Sequence, residues 1–351
     1  MKMTREVRIG DIKIGGGNPI AVQSMTRSPT KDVVRVVGEI KRLEMAGCEI
    51  VRVAVPDEES AEAIKEIKKR ISIPLVADIH FNWRLALIAL EKGADKIRIN
   101  PGTIGSREGV REIVKAAKDR KVPIRIGVNA GSLPKDILRK YKSSIAEAMV
   151  ESAIREVEIL EEEGFQDIVV SLKAFDIPTT VSAYERFSQL RDYPLHIGIT
   201  EAGPMPEGAI RSAVGLGILL GKGIGDTIRV SLTAEGVKEV EVAWEILSSL
   251  NLRKRGYIIV SCPMCARCSV PLIEIVERVR EELKGLPPRP LKIALMGCEV
   301  NGPGEAKDAD IGLAFGKTGA VLFSRGKPIK TIASSEAIEV LKKEIGEFIK
   351  K

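Results

Sequence analysis

The sequence predicts an α/β protein, a (β/α)8 TIM barrel followed by a smaller α+β domain that carries clustered cysteines, and three observations carry that expectation. Eight short apolar runs, each followed by a segment of helical periodicity, fill about the first 250 residues. No G-x-G-x-x-G follows the first run, which argues against an open doubly wound sheet. Beyond residue 250 the composition changes, and four of the five cysteines gather between residues 262 and 298. The expected domains are residues 1–252 and 253–351.

Residues 20–25 read as the first strand. Residues 31–46 then place Val33, Val36, Val37, Ile40 and Leu43 on one helical face, and Gly47 ends the run. The unit repeats with strands at 49–55, 74–80, 95–100, 123–129, 166–173, 194–200 and 226–231. After the polar connection 251–256, a strand at 257–261 runs into the cysteines. A helix near 270–284, the breaker-rich stretch 285–290, strands at 291–296, 310–315 and 320–324, and a helix from about 334 complete the second module.

Strand phase is the informative feature of the first domain. Side chains alternate faces along a strand, so Val51, Val53 and Val55 share one side while Arg52 takes the other. Arg98 and Asn100, Arg125 and Asn129, and Arg229 likewise oppose aliphatic neighbours, as do Asp78 and His80, Ser171 and Lys173, and His196 and Thr200. The aliphatic set must meet the surrounding helices, which turns the polar set toward the barrel axis. Buried cations there need anions. An internal salt-bridge network through Asp78 and Glu201 is one solution. A phosphorylated ligand is the favoured one, because arginine pairs its planar fork with phosphate oxygens and barrel sites lie at strand C-termini.

Only two histidines occur, His80 and His196, both at or near predicted strand ends in the inward phase, which suggests a joint role at the site. Glu201 closes the seventh predicted strand, as a proton carrier or a cap for the next helix. Lys173 is read as a phosphate contact.

The cysteine segment reads Cys262-Pro263-Met264-Cys265-Ala266-Arg267-Cys268, with Cys298 and Glu305 further on. Thiolates at C-x2-C spacing ligate one metal centre from a tight turn, and a distant cysteine adds another position. No histidine lies in this module. Spacing alone favours iron-sulfur over zinc or free thiols, and leaves Cys268 an equal candidate with Cys262, Cys265 and Cys298. An oxygen ligand such as Glu305 would leave one iron open toward substrate. Cys48 reads as a packed core thiol.

Composition narrows the classes. A net charge of +7 invites a nucleic-acid reading, but aromatics make up only 4% and the cations are dispersed, so a small anionic substrate fits better and nucleic acid is not expected. No apolar run reaches membrane-spanning length and the first ten residues lack a signal-peptide core, which predicts a cytoplasmic protein without a membrane partner.

Together the motifs Val22-Gln23-Ser24-Met25-Thr26, Ala77-Asp78-Ile79-His80-Phe81, Arg98-Ile99-Asn100-Pro101-Gly102, Arg125-Ile126-Gly127-Val128-Asn129, Ser171-Leu172-Lys173, Gly198-Ile199-Thr200-Glu201 and Asn301-Gly302-Pro303-Gly304-Glu305 resemble the 4-hydroxy-3-methylbut-2-enyl diphosphate synthase family, in its shorter bacterial form. The resemblance spans essentially the whole chain. It implies reductive ring opening and dehydroxylation of 2-C-methyl-D-erythritol 2,4-cyclodiphosphate, in the methylerythritol phosphate route to isoprenoids. It also implies a [4Fe-4S] cluster on Cys262, Cys265, Cys298 and Glu305, which demotes Cys268. Arg52, Asp78, His80, Arg98, Asn100, Arg125, Asn129, Lys173, His196 and Arg229 are then substrate contacts, and Glu201 and Glu305 the catalytic carboxylates. A ferredoxin or flavodoxin donor and a homodimer, one subunit's cluster module capping the other's barrel, complete what it implies. Ala266 departs from the family's usual glycine. The competing class is a non-catalytic phosphometabolite-binding or electron-transfer protein with a closed iron-sulfur or zinc site.

Overall fold

The chain enters through a hairpin that the apolar runs do not announce, β1 (Val7–Ile9) paired antiparallel with β2 (Ile12–Ile14). This computed structural model describes residues 3–100, 104–284, 286–298 and 306–350. Two units emerge, Met1–Arg253 and Lys254–Lys351.

In the first unit the barrel strands are β3 (Ala21–Met25), β4 (Ile50–Val55), β5 (Leu75–Ile79), β6 (Lys96–Ile99), β7 (Ile124–Asn129), β8 (Ile168–Lys173), β9 (His196–Ile197) and β10 (Thr227–Ile228). They form one parallel sheet in the order β8-β7-β6-β5-β4-β3-β10-β9, and a bridge from Val170 to Leu195 brings its two ends together. All eight predicted strands are present. The last two are far shorter than expected.

Helices α1 (Val33–Ala46), α2 (Glu58–Lys68), α3 (Trp83–Glu91), α4 (Arg107–Arg120), α5 (Lys135–Lys140), α6 (Ile145–Glu162), α7 (Ile177–Leu190), α8 (Glu207–Gly221) and α9 (Gly236–Ser249) accompany the strands. Their limits follow from local chemistry. In α1 the Asp32 side chain caps the Arg35 N–H, and Gly47 ends the helix at φ 102°, a left-handed conformation that glycine adopts without steric cost. Val36, Val37, Ile40 and Leu43 of α1 are buried, as the periodicity requires.

The barrel interior is layered. Val7, Ile9 and Ile14 of the hairpin form one buried apolar cluster with Ala21, Ile50, Val76 and Val169, residues at or near the N-terminal ends of β3, β4, β5 and β8. The hairpin therefore plugs the bottom of the barrel. Two residues further up those strands stand Gln23, Arg52, Asp78 and Ser171, where the lining becomes polar.

In the second unit β11 (Tyr257–Ser261), α10 (Leu272–Lys284), β12 (Leu291–Met296), β13 (Ile311–Phe315), β14 (Ala320–Ser324), β15 (Lys327–Ile332) and α11 (Ala337–Lys350) build a sheet in the order β11-β12-β13-β14-β15. The first three strands are parallel and the last two antiparallel. Leu272, Val279 and Leu283 of α10 and Ile338, Leu341 and Ile345 of α11 share a core with Ile293, Leu295, Ile311 and Leu313.

Strand β15 is absent from the sequence expectation. Its exposed Lys-Pro-Ile-Lys pattern lacks apolar alternation, as suits a protected sheet edge. The turn that creates it, Arg325-Gly326, has φ 47° and 72°, positive at both positions as a two-residue hairpin demands. No helix among the described residues is long and apolar enough to cross a membrane.

Candidate active site

Inside the barrel the inward phase gathers Arg52, Lys96, Arg98, Arg125, Lys173 and Arg229. Parallel register aligns Asp78 with Arg98 and Arg98 with Arg125, and Asn129 with Lys173. Asp78 is the carboxylate among them. Its oxygens lie 3.2 Å from Arg98 Nη1 and 3.6 Å from Arg52 Nε. Burial alone would raise this carboxyl, but Arg52, the His80 bond and Arg98 hold it well below the usual range. Arg98 also donates to His80 Nε2 at 2.7 Å and to the Gly127 carbonyl at 3.1 Å. A β-carbon on Gly127 would stand 2.4 Å from Arg98 Nε, so the glycine makes room for the guanidinium.

The remaining cations are poorly neutralised. Arg125 is 1% exposed, and its Nε and Nη1 find no hydrogen-bond partner. Burial, with Arg52 and Arg98 beside it, pushes the Arg125 pKa well down. Burial, then the neighbouring arginines, lowers Lys96 and Lys173 in the same way. Lys96 is fully buried, and among the described residues its hydrogen-bond partner is Gln23 Oε1, at 3.4 Å. Desolvation of so many like charges is costly unless an anion completes the site.

The expected salt-bridge partner Glu201 is elsewhere. It follows β9 on the exposed surface at φ 53°, and no described ion pair joins it to the arginines. Nor does it cap the next helix, since the N-cap position of α8 is Pro206, with no side-chain cap bond. The second acid is Glu239 on α9, which accepts from Ser24 at 3.1 Å and from Arg27 at 3.2 Å, and lies 3.9 Å from Arg229.

The two histidines separate. His80 is half-exposed just beyond β5, whereas His196 begins β9, fully buried, with Nδ1 2.8 Å from Thr227 Oγ1. Burial and the nearby Lys173 and Arg125 push His196 well below its ordinary pKa, which keeps it neutral. It belongs to the interior below the mouth. Asn100 and Asn129 stand half-buried at the C-terminal ends of β6 and β7.

Sequence reading passed over Lys96, Gln23 and Glu239. The first two shared a legible signal: Lys96 sits two residues before Arg98, and Gln23 two before Met25, whose sulfur accepts from Arg52 at 2.9 Å. Glu239 had no such signal, being on a helix.

The thiols form a separate locus. Strands β11 and β12 are parallel with Ser261 opposite Leu295, so Cys262 and Cys298 emerge from neighbouring strand ends. The Gly297 N–H donates to Cys262 Sγ at 3.3 Å, a contact suited to a sulfur that bears negative charge. Cys268 N–H bonds the Cys265 carbonyl at 2.9 Å, closing a tight turn over residues 265–268, and Met264 just before it sits at φ 59°. Cys268 itself packs against Gly297, donating to the Val270 carbonyl at 3.3 Å. Cys265 is exposed and Cys298 buried. Glu305 lies outside the described residues. No three potential metal ligands cluster among the described residues. The donor types nevertheless suit an iron-sulfur group: soft thiols beyond the C-terminal ends of β11 and β12, with a backbone N–H aimed at one of them. Cys48, by contrast, is sealed in the barrel wall, where burial pushes its thiol up to about 12.

A parallel barrel with a cationic interior, joined in one chain to a thiol-bearing α+β module, defines a two-domain protein of the TIM-barrel class. Residues 4–244 match the GcpE TIM-barrel domain and residues 258–347 the GcpE protein C-terminal domain, so the chain belongs to the GcpE family.

Relatives extend the match over the full length. A protein of Thermodesulfovibrio yellowstonii is 55% identical over 98% of each chain, and one of Caldanaerobacter subterraneus subsp. tengcongensis is 55% identical over 99% of this chain and 98% of its own. One of Bacillus subtilis is 53% identical over 97% of this chain and 90% of its own. Each is named 4-hydroxy-3-methylbut-2-en-1-yl diphosphate synthase (flavodoxin). Among solved structures, Yersinia pestis dihydropteroate synthase with a sulfonamide drug superposes with TM-score 0.53 at 11% identity, covering 70% of this chain and 100% of its own. That likeness is one of fold alone.

Proposed function

We propose that this protein is a 4-hydroxy-3-methylbut-2-enyl diphosphate synthase, reducing 2-C-methyl-D-erythritol 2,4-cyclodiphosphate with two electrons. The ring opens at its carbon–oxygen bond to phosphate, and a hydroxyl leaves as water with the protons taken up. The observation that carries this reading is the excess of buried cations over carboxylates inside the barrel, within a chain about 55% identical to relatives bearing that name. A cyclic diphosphate supplies the missing negative charge.

The residue roles follow from position. Arg52, Arg98, Arg125, Lys173 and Arg229 hold diphosphate oxygens; as permanent or induced cations they bind the ring-opened product's diphosphate as well. Asp78 fixes Arg52 and Arg98 so that their free N–H groups converge, and His80 extends that bonded set to the rim. Asn100 and Asn129 are substrate hydrogen-bonding groups at the strand ends. His196, neutral and buried, orients the interior through Thr227. Glu201 is the carboxylate that moves a proton, supported by its place after β9 on the C-terminal side of the barrel.

Cys262, Cys265 and Cys298 with Glu305 hold a [4Fe-4S] cluster, which supplies electrons one at a time when bound. Flavodoxin is the donor, by the relatives' names. We place the protein in the cytoplasm, where thiols stay reduced. A homodimer is supported by the exposed apolar stripe Ile210, Val214 and Ile218 on α8.

Anaerobic reconstitution followed by turnover of the cyclodiphosphate with a chemical reductant tests the reading. Formation of the open diphosphate with about four irons per chain is expected. Stoichiometric zinc without iron, and no turnover, would refute it in favour of a closed-site binding protein.

A further inference from the structure

Helix α6 carries a carboxyl that this chemistry leaves unused. Glu156 is 4% exposed, on a helix that packs over β7 and β8, and its Oε2 has no hydrogen-bond partner. Asn100, beyond the end of β6, has a buried Oδ1 that is also without a partner. The two side chains are neighbours. The Asn100 side chain and the Ser152 hydroxyl both act on the Glu156 carboxyl to lower its pKa.

Two buried oxygens without donors, on side chains that act on one another, are an unstable arrangement. A proton on Glu156 resolves it. Desolvation pushes this carboxyl up to about 8, opposed by Arg98, Asn100 and Ser152, so it is largely protonated at neutral pH. The protonated acid offers an O–H that lacks an acceptor, and Asn100 Oδ1 is an acceptor that lacks a donor. Because the two ends of an amide are nearly equal in shape, Asn100 can present either end to α6.

We propose that Glu156 is a positioning residue for the diphosphate site, donating its carboxylic O–H to Asn100 Oδ1 so that the Asn100 amide NH2 is left to face the ligand. The polarity is what matters. An ionised Glu156 accepts from the amide NH2 instead, and turns the Asn100 carbonyl toward the anion. With Glu156 protonated, Asn100 shows the ligand a donor; with Glu156 ionised, it shows a repelling oxygen.

The charges around α6 support this isolation. Arg98 of β6 is the cation acting on Glu156, and it is engaged with Asp78 and His80. β7 and β8 present aliphatic side chains on their outward phase, Ile124, Ile126, Val128, Ile168 and Val170 among them. The flanking helices pair their charges elsewhere: Asp136 of α5 with Arg155, Lys140 with Glu151, and Glu185 of α7 with Lys222.

This inference rests on the reading of Asn100 as a substrate contact, and the test separates the two. Binding of the cyclodiphosphate to the cluster-loaded protein is measured by calorimetry between about pH 6 and 9.5. Wild-type Kd is expected to be flat below the ionisation of Glu156 and to weaken by up to about tenfold per pH unit above it. Glu156→Gln, whose amide donates at every pH, is expected to keep neutral-pH affinity and lose that decline. Glu156→Leu is expected to bind roughly tenfold more weakly even at pH 7, the loss of one oriented hydrogen bond. An identical alkaline decline in wild type and Glu156→Gln, or none in wild type, overturns the role of Glu156. Unchanged affinity in Asn100→Ala overturns the reading of Asn100 instead.

Discussion

Arg98 Nη1 lies 3.2 Å from Asp78 Oδ1 inside the barrel, and the other oxygen of the same carboxylate lies 3.6 Å from Arg52. One buried anion thus positions two cations from the strands on either side of it. The pair is an organising element, since removing either member leaves the other buried and charged.

Asp78→Asn should therefore destabilise the barrel by about 3–5 kcal/mol, as the loss of one partner from a buried ion pair does. Chemical denaturation followed by circular dichroism reads this directly. A change below roughly 0.5 kcal/mol, the range of an exposed pair, would show that the arginines do not depend on Asp78.

The pH dependence of stability has two opposite arms. Asp78 is held below its ordinary value of 3.8, so its contribution is present above that value and fades as pH falls further. Glu156 is raised from 4.5 to about 8, so its contribution is full below 4.5 and is lost as pH rises toward about 8. Denaturation midpoints across pH should show Asp78→Asn flattening the acid arm and Glu156→Gln flattening the other. A wild-type profile unaltered by both substitutions would contradict these assignments.

Gly127→Ala is expected to weaken diphosphate binding. The added β-carbon would meet Arg98 Nε at 2.4 Å and must displace the guanidinium from Asp78 and His80. A loss of about tenfold or more in affinity, with cluster absorbance unchanged, is the predicted signature. Unchanged affinity would place Arg98 away from the ligand.

Lys96→Met should raise the thermal midpoint of the ligand-free protein. The substitution keeps length and apolar volume while removing a fully buried amine set against Arg125 and Arg52. Lowered stability would mean that Gln23 satisfies Lys96 well enough to make it a net stabiliser.

Cys298→Ser is expected to abolish the iron-sulfur chromophore and leave barrel folding intact, because the cysteine lies in the second unit. Cys268→Ser should retain the chromophore. Equal loss in both would restore Cys268 as a ligand.

Much of this site is readable from strand period alone. Arg52, Arg98, Arg125 and Arg229 oppose aliphatic neighbours in the sequence, and a period of two fixes their face as soon as one face must meet helices. The cysteine positions point to a soft-metal site because thiol spacing is a local property. Glu201 follows a predicted strand, but the observed β9 ends at Ile197, so the period of two that fixes the face of the arginines does not extend to it.

The number of strand–helix units, the cationic lining and the thiol positions are all written in intervals of a few residues, so the amino-acid order alone sets them. Barrel closure settles which acids serve those cations. Ser24 and Glu239 meet across 215 residues, and Glu156 reaches Asn100 from a different strand–helix unit. Hydrogen bonds and ion pairs depend on distances of a few ångströms, and no spacing along the chain encodes which distant side chains the closed barrel brings within that reach.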